Sequence, residues 1–146
     1  MITFQTGIDI ERPIEEVFAY VSDPGGFPSW NSAVQRVRPT SPEPGRVGSR
    51  YSMERQLPGG RATNELEIVV RESPRAFAIR TTSGPTPFLY RYRFASKLDA
   101  TVVDFEGHVE LPAFAGFVSQ FVRRVVTRGI EDNLATLKLI LERGRA

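Results

Sequence analysis

The chain of 146 residues has no cysteine and only one histidine. Without cysteine it can form no disulfide bond and offers no thiol nucleophile. A metal site would therefore depend on carboxylate ligands, and the predicted inward-facing positions hold none, so we expect no metal and no other cofactor. The single histidine, His108, alternates onto the outer face of its predicted strand between Glu106 and Glu110. That position argues against general-base catalysis. On the same face Asp104, Glu106 and Glu110 are expected to be cross-strand partners of Arg91 and Arg93.

Long apolar runs and a strong charge bias are absent as well. No stretch of about 18 apolar residues occurs, so we expect no membrane-spanning helix. No apolar segment precedes the first predicted strand, so we expect no signal peptide and predict a cytoplasmic protein. Nineteen basic residues against seventeen acidic ones give a net charge of +2, which gives no reason to expect a nucleic-acid partner. The sequence also has no glycine-rich phosphate loop and no dinucleotide fingerprint.

The longest regular pattern is an apolar stripe in residues 113–143, whose members recur at steps of three and four. This spacing predicts one long C-terminal helix, with Pro112 in its first turn and Gly144 as its stop. About 30 helical residues would span roughly 45 Å, so the helix needs a large surface to lie against. The stripe consists of Phe114, Phe117, Val118, Phe121, Val122, Val125, Val126, Ile130, Leu134, Leu137 and Leu141.

The remainder of the chain predicts short strands that could supply this surface. An alternating strand in residues 3–11 is followed by two short helices, which begin at Pro13 and Phe27, and then by six further strands. We therefore predict the α+β class: a curved antiparallel seven-stranded sheet wrapped around the long C-terminal helix, in a helix-grip arrangement. Residues 1–146 are expected to form a single domain.

Strand alternation and turn chemistry predict which residues share a face of this sheet. A two-residue turn at Gly59-Gly60 would place Arg55 opposite Asn64. A six-residue turn near residue 98 would place Tyr90 opposite Phe105. Each predicted register puts the apolar side chains on one face and the charged side chains on the other, which is typical of a sheet with one buried face.

The order of these elements, and several short motifs, resemble the START/Bet v 1-like superfamily in its bacterial polyketide cyclase/dehydrase and lipid-transport branch. The similarity spans the whole chain. It is carried by IERPIEEVF at residues 10–18, SDP at 22–24, FPSWN at 27–31, ESPR at 72–75, FEG at 105–107 and NLATLK at 133–138. The resemblance implies a helix-grip fold with a cavity between sheet and helix. It implies binding of lipids, sterols, polyketides or hormones, while only a minority of members are enzymes, and it supplies no catalytic residues that match position by position.

One transverse row of the predicted inner face is polar: Arg55, Asn64, Ser83 and Thr86. A buried arginine is costly unless it is paired and hydrogen-bonded. One interpretation is that Arg55 anchors a carbonyl, carboxylate or enolate at the polar end of a ligand cavity. The other is that Arg55 lies near a strand end and extends its guanidinium into water.

We expect a small hydrophobic or aromatic ligand, lipid or polyketide-like, to bind in this cavity. The alternatives are a polyketide cyclase, aromatase or dehydratase, and a regulatory module that binds no ligand. The protein is expected to be a monomer or homodimer, and Arg123, Arg124 and Arg128 suggest transient contact with an acidic partner or an anionic membrane as a further alternative. The predicted cavity-lining residues are Trp30, Tyr51, Met53, Arg55, Asn64, Leu66, Thr81, Phe88, Tyr90, Tyr92, Phe105, Phe121 and Val125.

Overall fold

A computed structural model describes residues 2–57, 60–110 and 119–144 of the chain. Seven strands in these ranges form one curved antiparallel sheet, as the alternation predicted. Its spatial order is β1-β7-β6-β5-β4-β3-β2. The strands from β2 to β7 thus form a meander, and β1 adds an edge strand beside β7. The strands are β1 (Ile2–Ile10), β2 (Val34–Pro39), β3 (Arg50–Leu57), β4 (Gly60–Glu72), β5 (Ala76–Ser83), β6 (Phe88–Lys97) and β7 (Ala100–Val109).

Both predicted short helices follow β1, and the long helix follows β7. They are α1 (Ile14–Val21), α2 (Phe27–Trp30) and α3 (Ser119–Arg143), with a 3₁₀ turn at Pro24–Gly26 before α2. Pro13 precedes α1, where its missing N–H costs nothing. The α3 helix ends directly before Gly144, as predicted. Its predicted beginning at residue 113, including Phe114, Phe117 and Val118, lies outside the described residues.

The α3 helix runs beside β1 and in the same direction. The Nη1 atom of Arg123 donates a hydrogen bond to the carbonyl of Thr3 (3.4 Å), and the Nζ atom of Lys138 donates to the carbonyl of Asp9 (2.6 Å). The fifteen helical residues between these two contacts span about 22 Å, and the six strand residues between them span about 20 Å, so the two segments have similar lengths. The helix is therefore fastened along the sheet edge at both ends.

The face of α3 that packs on the core is not the whole predicted stripe. Leu134 and Leu137 are buried, and Val126, Ile130, Ile140 and Leu141 are partly buried against the core. Phe121 and Val125 are 71% and 56% exposed. The prediction that turned these two side chains toward the sheet is therefore wrong. At 100° per residue Phe121 lies about 140° from Val126, so the apolar stripe covers two faces and only one of them faces the sheet.

Two hairpins differ from the predicted registers along their whole length. Arg55 lies opposite Ala62 rather than Asn64. The β6 and β7 strands are offset by the same two residues, which brings Tyr90 opposite Gly107. A shift of two residues leaves every side chain on its face, because strand side chains alternate with a period of two.

The β5–β6 hairpin has its predicted partners throughout, whereas the β4–β5 hairpin has them only in its middle part. Ile68 lies opposite Ile79, and Ile79 lies opposite Tyr90. The pairing of β4 with β5 shifts at residues 65–66 and again at residues 68–70. Such bulges bend a strand and increase its twist. Beyond the second shift Arg71 lies opposite the buried Phe77, so the end of β4 departs from the predicted division into an apolar and a charged face. The first shift directly follows Asn64, which belongs to the candidate site.

Candidate ligand-binding site

Arg55 on β3 points inward and is only 7% exposed. Its Nε atom donates to Oδ1 of Asn64 at 2.8 Å, and its Nη2 atom donates to the carbonyls of Pro85 (3.0 Å) and Thr86 (3.3 Å). The guanidinium carbon lies 5.2 Å from the ring centroid of Phe88, within reach of a cation–π interaction. Arg55 is thus buried and hydrogen-bonded, and the alternative of extension into water does not apply.

Asn64 joins this arginine to the turn between β5 and β6. It is fully buried, and its Nδ2 atom donates to the carbonyls of Ser83 (3.2 Å) and Pro85 (2.8 Å). At Gly84, where φ is +101°, an added Cβ would lie 2.5 Å from the carbonyl of Thr63. The predicted polar row therefore forms, but Ser83 and Thr86 contribute backbone carbonyls rather than side chains.

The charge of Arg55 has no carboxylate partner. All three of its hydrogen-bond acceptors are neutral oxygens, and no ion pair within the described parts of the chain includes it. Burial lowers the pKa of Arg55, and its interaction with Tyr90 opposes that change. A buried cation held only by neutral groups gains strongly from a nearby negative or polarised oxygen.

A continuous set of aromatic rings extends from Arg55 across the inner face. Phe88 and Tyr90 stack at 4.0 Å between centroids, and Tyr90 lies 5.2 Å from Phe105. Phe105 lies 5.1 Å from Tyr92, whose ring meets Trp30 edge-on at 6.2 Å. These rings, here named the aromatic wall, form a flat apolar surface that reaches from β6 to α2. Such a surface suits aromatic or aliphatic contacts.

Gly107 is necessary for this packing. A Cβ added there would lie 2.9 Å from Cζ of Phe105 and 3.3 Å from Cδ1 of Tyr90. Real side chains essentially never approach as closely as the first of these distances, so any residue other than glycine would displace the rings. The glycine in the FEG motif therefore has a packing role, which the sequence motif alone did not reveal.

Polar atoms within the aromatic wall lack partners. Burial raises the pKa of Tyr90, which Arg55 partly opposes, and burial together with Tyr90 raises the pKa of Tyr92. Within residues 2–57, 60–110 and 119–144 neither hydroxyl forms a hydrogen bond, and Nε1 of the 3% exposed Trp30 likewise has none. A buried donor normally has an acceptor, so the Trp30 indole could bond an acceptor atom of a ligand, and the two hydroxyls are free to do the same.

The family model for polyketide cyclase/dehydrase and lipid transport proteins matches residues 1–142. The chain belongs to this family. No protein with a curated description has a sequence that matches it.

Several solved structures share this fold at low sequence identity. TTHA0849 from Thermus thermophilus superposes with a TM-score of 0.83 at 16% identity, covering 99% of this chain and 100% of that one. A START superfamily protein from Mycobacterium smegmatis gives 0.79 at 15% identity, covering 97% of both chains. The di-domain aromatase/cyclase BexL of the BE-7585A biosynthetic pathway gives 0.73 at 20% identity, covering 94% of this chain and 48% of that chain. At these identities the likeness shows the shared helix-grip fold.

Other predicted site residues of this polyketide cyclase family member lie around the same core. Met53 and Leu66 are buried, and Oγ1 of the half-buried Thr81 accepts a hydrogen bond from the N–H of Phe88 at 3.1 Å. Thr81 thus positions the residue whose ring lies beneath Arg55. Whether each of these side chains touches a ligand stays a prediction.

Tyr51 lies at a different place from the other predicted site residues. Its hydroxyl accepts a hydrogen bond from the N–H of Gly45 at 2.7 Å, and burial raises its pKa. It borders a surface cleft of about 400 Å³ that Asp23 and Arg71 also line. Tyr51 therefore links the loop before β3 to the sheet. It is not part of the hydrogen-bonded group formed by Arg55, Asn64 and the turn between β5 and β6.

His108 lies outside the aromatic wall, as predicted. Its Nε2 atom is 2.8 Å from Oε1 of Glu106, and its Nδ1 atom is 3.1 Å from Oγ1 of Thr3. The predicted outer-face neighbours are confirmed by the register, which pairs Arg91 with Glu106. Among the described residues no cluster of three metal-ligating side chains occurs, and no helix is long and apolar enough to cross a membrane.

Proposed function

We propose that this protein binds a small hydrophobic or aromatic molecule, lipid or polyketide-like, between the inner face of its sheet and its C-terminal helix. The observation that carries this proposal is Arg55, a buried cation hydrogen-bonded only to neutral oxygens. Retaining such a group is costly in a purely structural core. Membership of a family described by polyketide chemistry and lipid transport supports the same conclusion.

The ligand should combine a flat or flexible apolar body with an oxygen acceptor. The rings of Phe88, Tyr90, Tyr92 and Phe105 offer apolar area, while Arg55, the two tyrosine hydroxyls and the Trp30 indole are all donors. A carboxylic acid, a ketone or an enolate would supply an acceptor for the hydroxyls and the indole and a negative or polarised oxygen for Arg55. A cationic ligand would be repelled by Arg55, and the described part of the inner face offers no carboxylate to pair with it.

A comparison of acid and alcohol ligands tests this proposal. Displacement of a fluorescent fatty acid by a fatty acid and by its alcohol should be measured in the wild type and in Arg55→Gln. Loss of a charge-assisted hydrogen bond should weaken the acid about 10- to 100-fold and the alcohol far less. Arg55 also donates a hydrogen bond to Asn64, so its loss could disturb the fold. Such damage would reduce both affinities equally, and the ratio of the acid affinity to the alcohol affinity within one variant is therefore the readout.

The control is Arg91→Gln, since Arg91 is exposed on the outer face of β6. This change removes the same charge without touching the aromatic wall, so both affinities should stay at the wild-type value. Failure of the wild type to take up any fatty acid or aromatic probe would contradict the proposal. An unchanged acid-to-alcohol ratio in Arg55→Gln would contradict the role of the arginine.

The second candidate is a polyketide cyclase, aromatase or dehydratase activity. The arrangement that favours it is the interaction of the Arg55 charge with Tyr90, which opposes the rise in the pKa of that hydroxyl caused by burial. Arg55 would polarise a ketone oxygen, and Tyr90 or Tyr92 would donate a proton to it. Conversion of a poly-β-ketone mimic to a cyclised product, lost in Tyr90→Phe or Tyr92→Phe, would establish this activity. Binding of the mimic without conversion would leave the binding function alone.

A further inference from the structure

The N-terminal half of α3 presents an unusual outer face. Phe121 and Val125 are 71% and 56% exposed, and Arg124 and Arg128 are exposed beside them. Each of these four residues lies three or four positions from two of the others along the helix, so together they form one continuous surface, here named the outer patch. The outer patch is on the side of the helix away from Leu134 and Leu137, which are buried against the core.

The outer patch is basic as well as apolar. Residues 119–130 contain no acidic residue, and the first carboxylates follow at Glu131 and Asp132. No ion pair within the described ranges includes Arg124 or Arg128. The neighbouring Arg123, predicted to share this outer face, turns instead toward β1, where its guanidinium lies 5.8 Å from the ring centroid of Phe4. Two cations and two apolar side chains are thus left facing outward.

We propose that the outer patch docks the protein onto the surface of an anionic lipid bilayer. The helix would lie in the plane of the interface, with Phe121 and Val125 inserted at the boundary of headgroups and acyl chains. Arg124 and Arg128 flank them and would contact lipid phosphates. This docking is independent of what occupies the interior, since none of the four side chains belongs to the aromatic wall.

Charge and shape favour a bilayer over other anionic or apolar partners. A nucleic acid gains affinity through many phosphate contacts, and two arginines around a phenylalanine supply few of them. The chain's net charge of +2 adds little attraction. A second copy of the chain would need roughly 800 Å² from each partner for a stable interface, and four side chains cover far less. An interfacial helix needs only a short apolar strip bordered by cations.

Vesicle sedimentation tests this docking. The wild type should bind vesicles of phosphatidylcholine with phosphatidylglycerol, should not bind phosphatidylcholine alone, and should lose binding as salt is raised. At about 1 kcal/mol for each arginine, Arg124→Gln with Arg128→Gln should weaken binding about thirty-fold. Phe121→Ser with Val125→Ser should weaken binding at least about tenfold, because the inserted apolar area is lost. Soluble glycerol phosphate should not compete, since it offers no interface for these two side chains.

Two matched variants serve as controls. Leu139→Ser changes an exposed side chain on the same side of α3, about 27 Å from Phe121 along the helix. Arg36→Gln with Arg38→Gln removes two exposed charges from β2. Both controls should bind vesicles like the wild type, and all variants should unfold at the wild-type temperature, because the altered side chains are exposed.

Three results would overturn the proposal. The first is equal loss of vesicle binding in the outer-patch variants and the controls, or no vesicle binding at all. The second is binding to DNA that needs Arg124 and Arg128 but tolerates Phe121→Ser, which would make the surface a nucleic-acid site. The third is a dimer in solution that Phe121→Ser dissociates, which would make it a self-association surface. A failure of ligand binding in the interior would leave the vesicle result unchanged.

Discussion

Arg55 illustrates what a single residue's position in the sequence can and cannot reveal. Strand alternation predicted that it points inward, because the face of a strand residue depends only on parity. Its hydrogen-bond partners could not be predicted in the same way. Two of them are carbonyls of Pro85 and Thr86 in a turn, and the sequence marks that turn without specifying which way its carbonyls point.

Two glycines should respond in opposite ways to alanine substitution. Gly107→Ala forces a Cβ to within 2.9 Å of Phe105, so overpacking should lower the free energy of unfolding by about 1–3 kcal/mol. Gly129 lies within α3, and an added Cβ there would meet no atom within 4 Å beyond the adjoining backbone of its own helix. Gly129→Ala should raise stability by about 0.5–1 kcal/mol through helix propensity. Urea unfolding of both variants measures the two changes, and equal changes of one sign would contradict this description of the inner face.

At the scale of elements, the α3 helix should be anchored through one face only. Leu137 is fully buried, whereas Leu139 is 54% exposed two residues later. Leu137→Ala should destabilise the protein by about 2–5 kcal/mol, because it leaves a cavity beneath the helix. Leu139→Ala should change stability by no more than about 0.5 kcal/mol. The thermal unfolding temperatures of the two variants compare these costs directly, and similar losses would mean that the helix is rotated from its described orientation.

The errors in predicting the elements have a common physical origin. The β3–β4 and β6–β7 registers were each wrong by two residues, since the apolar pattern repeats every two residues and only the turn length separates the choices. Phe121 and Val125 were wrongly predicted to face the sheet. The apolar residues of α3 occupy a wider part of the helix surface than the sheet can bury. Periodicity predicts that a helix is present, but packing decides which part of a wide stripe is buried.

The whole molecule should lose stability at alkaline pH. Burial raises the pKa of Tyr51, Tyr90 and Tyr92 in the folded protein. In the unfolded chain the pKa of tyrosine is about 10. The folded state therefore holds these protons more tightly, and their contribution to stability is complete below about pH 10 and is lost as pH rises toward the folded pKa values.

Urea unfolding between about pH 8 and pH 12 measures this loss. Each fully buried tyrosine contributes a slope of up to about 1.4 kcal/mol per pH unit above about pH 10. Tyr92→Phe should reduce the slope there by one such contribution and leave the slope below about pH 9 unchanged. An unaltered slope in the alkaline range would show that Tyr92 ionises readily in the folded protein.

The family and the architecture of the whole molecule could be predicted from the sequence, because the order of elements and the short motifs are both local features. The contents of its interior could not. The edge-on contact of Trp30 with Tyr92, and the contact of Tyr92 with Phe105, join residues that lie on different elements of the chain. No local pattern encodes which rings meet there, or that the Trp30 indole has no hydrogen-bond partner among the described residues.

The single tryptophan makes the central claim directly measurable. A ¹H–¹⁵N correlation spectrum of the folded protein contains one indole signal, from Trp30, which lies edge-on to Tyr92 in the aromatic wall. Titration with a fatty acid should shift this signal and saturate at the concentration that displaces a fluorescent probe. An indole signal that stays in place while the acid binds would put the ligand somewhere other than the inner face of the sheet.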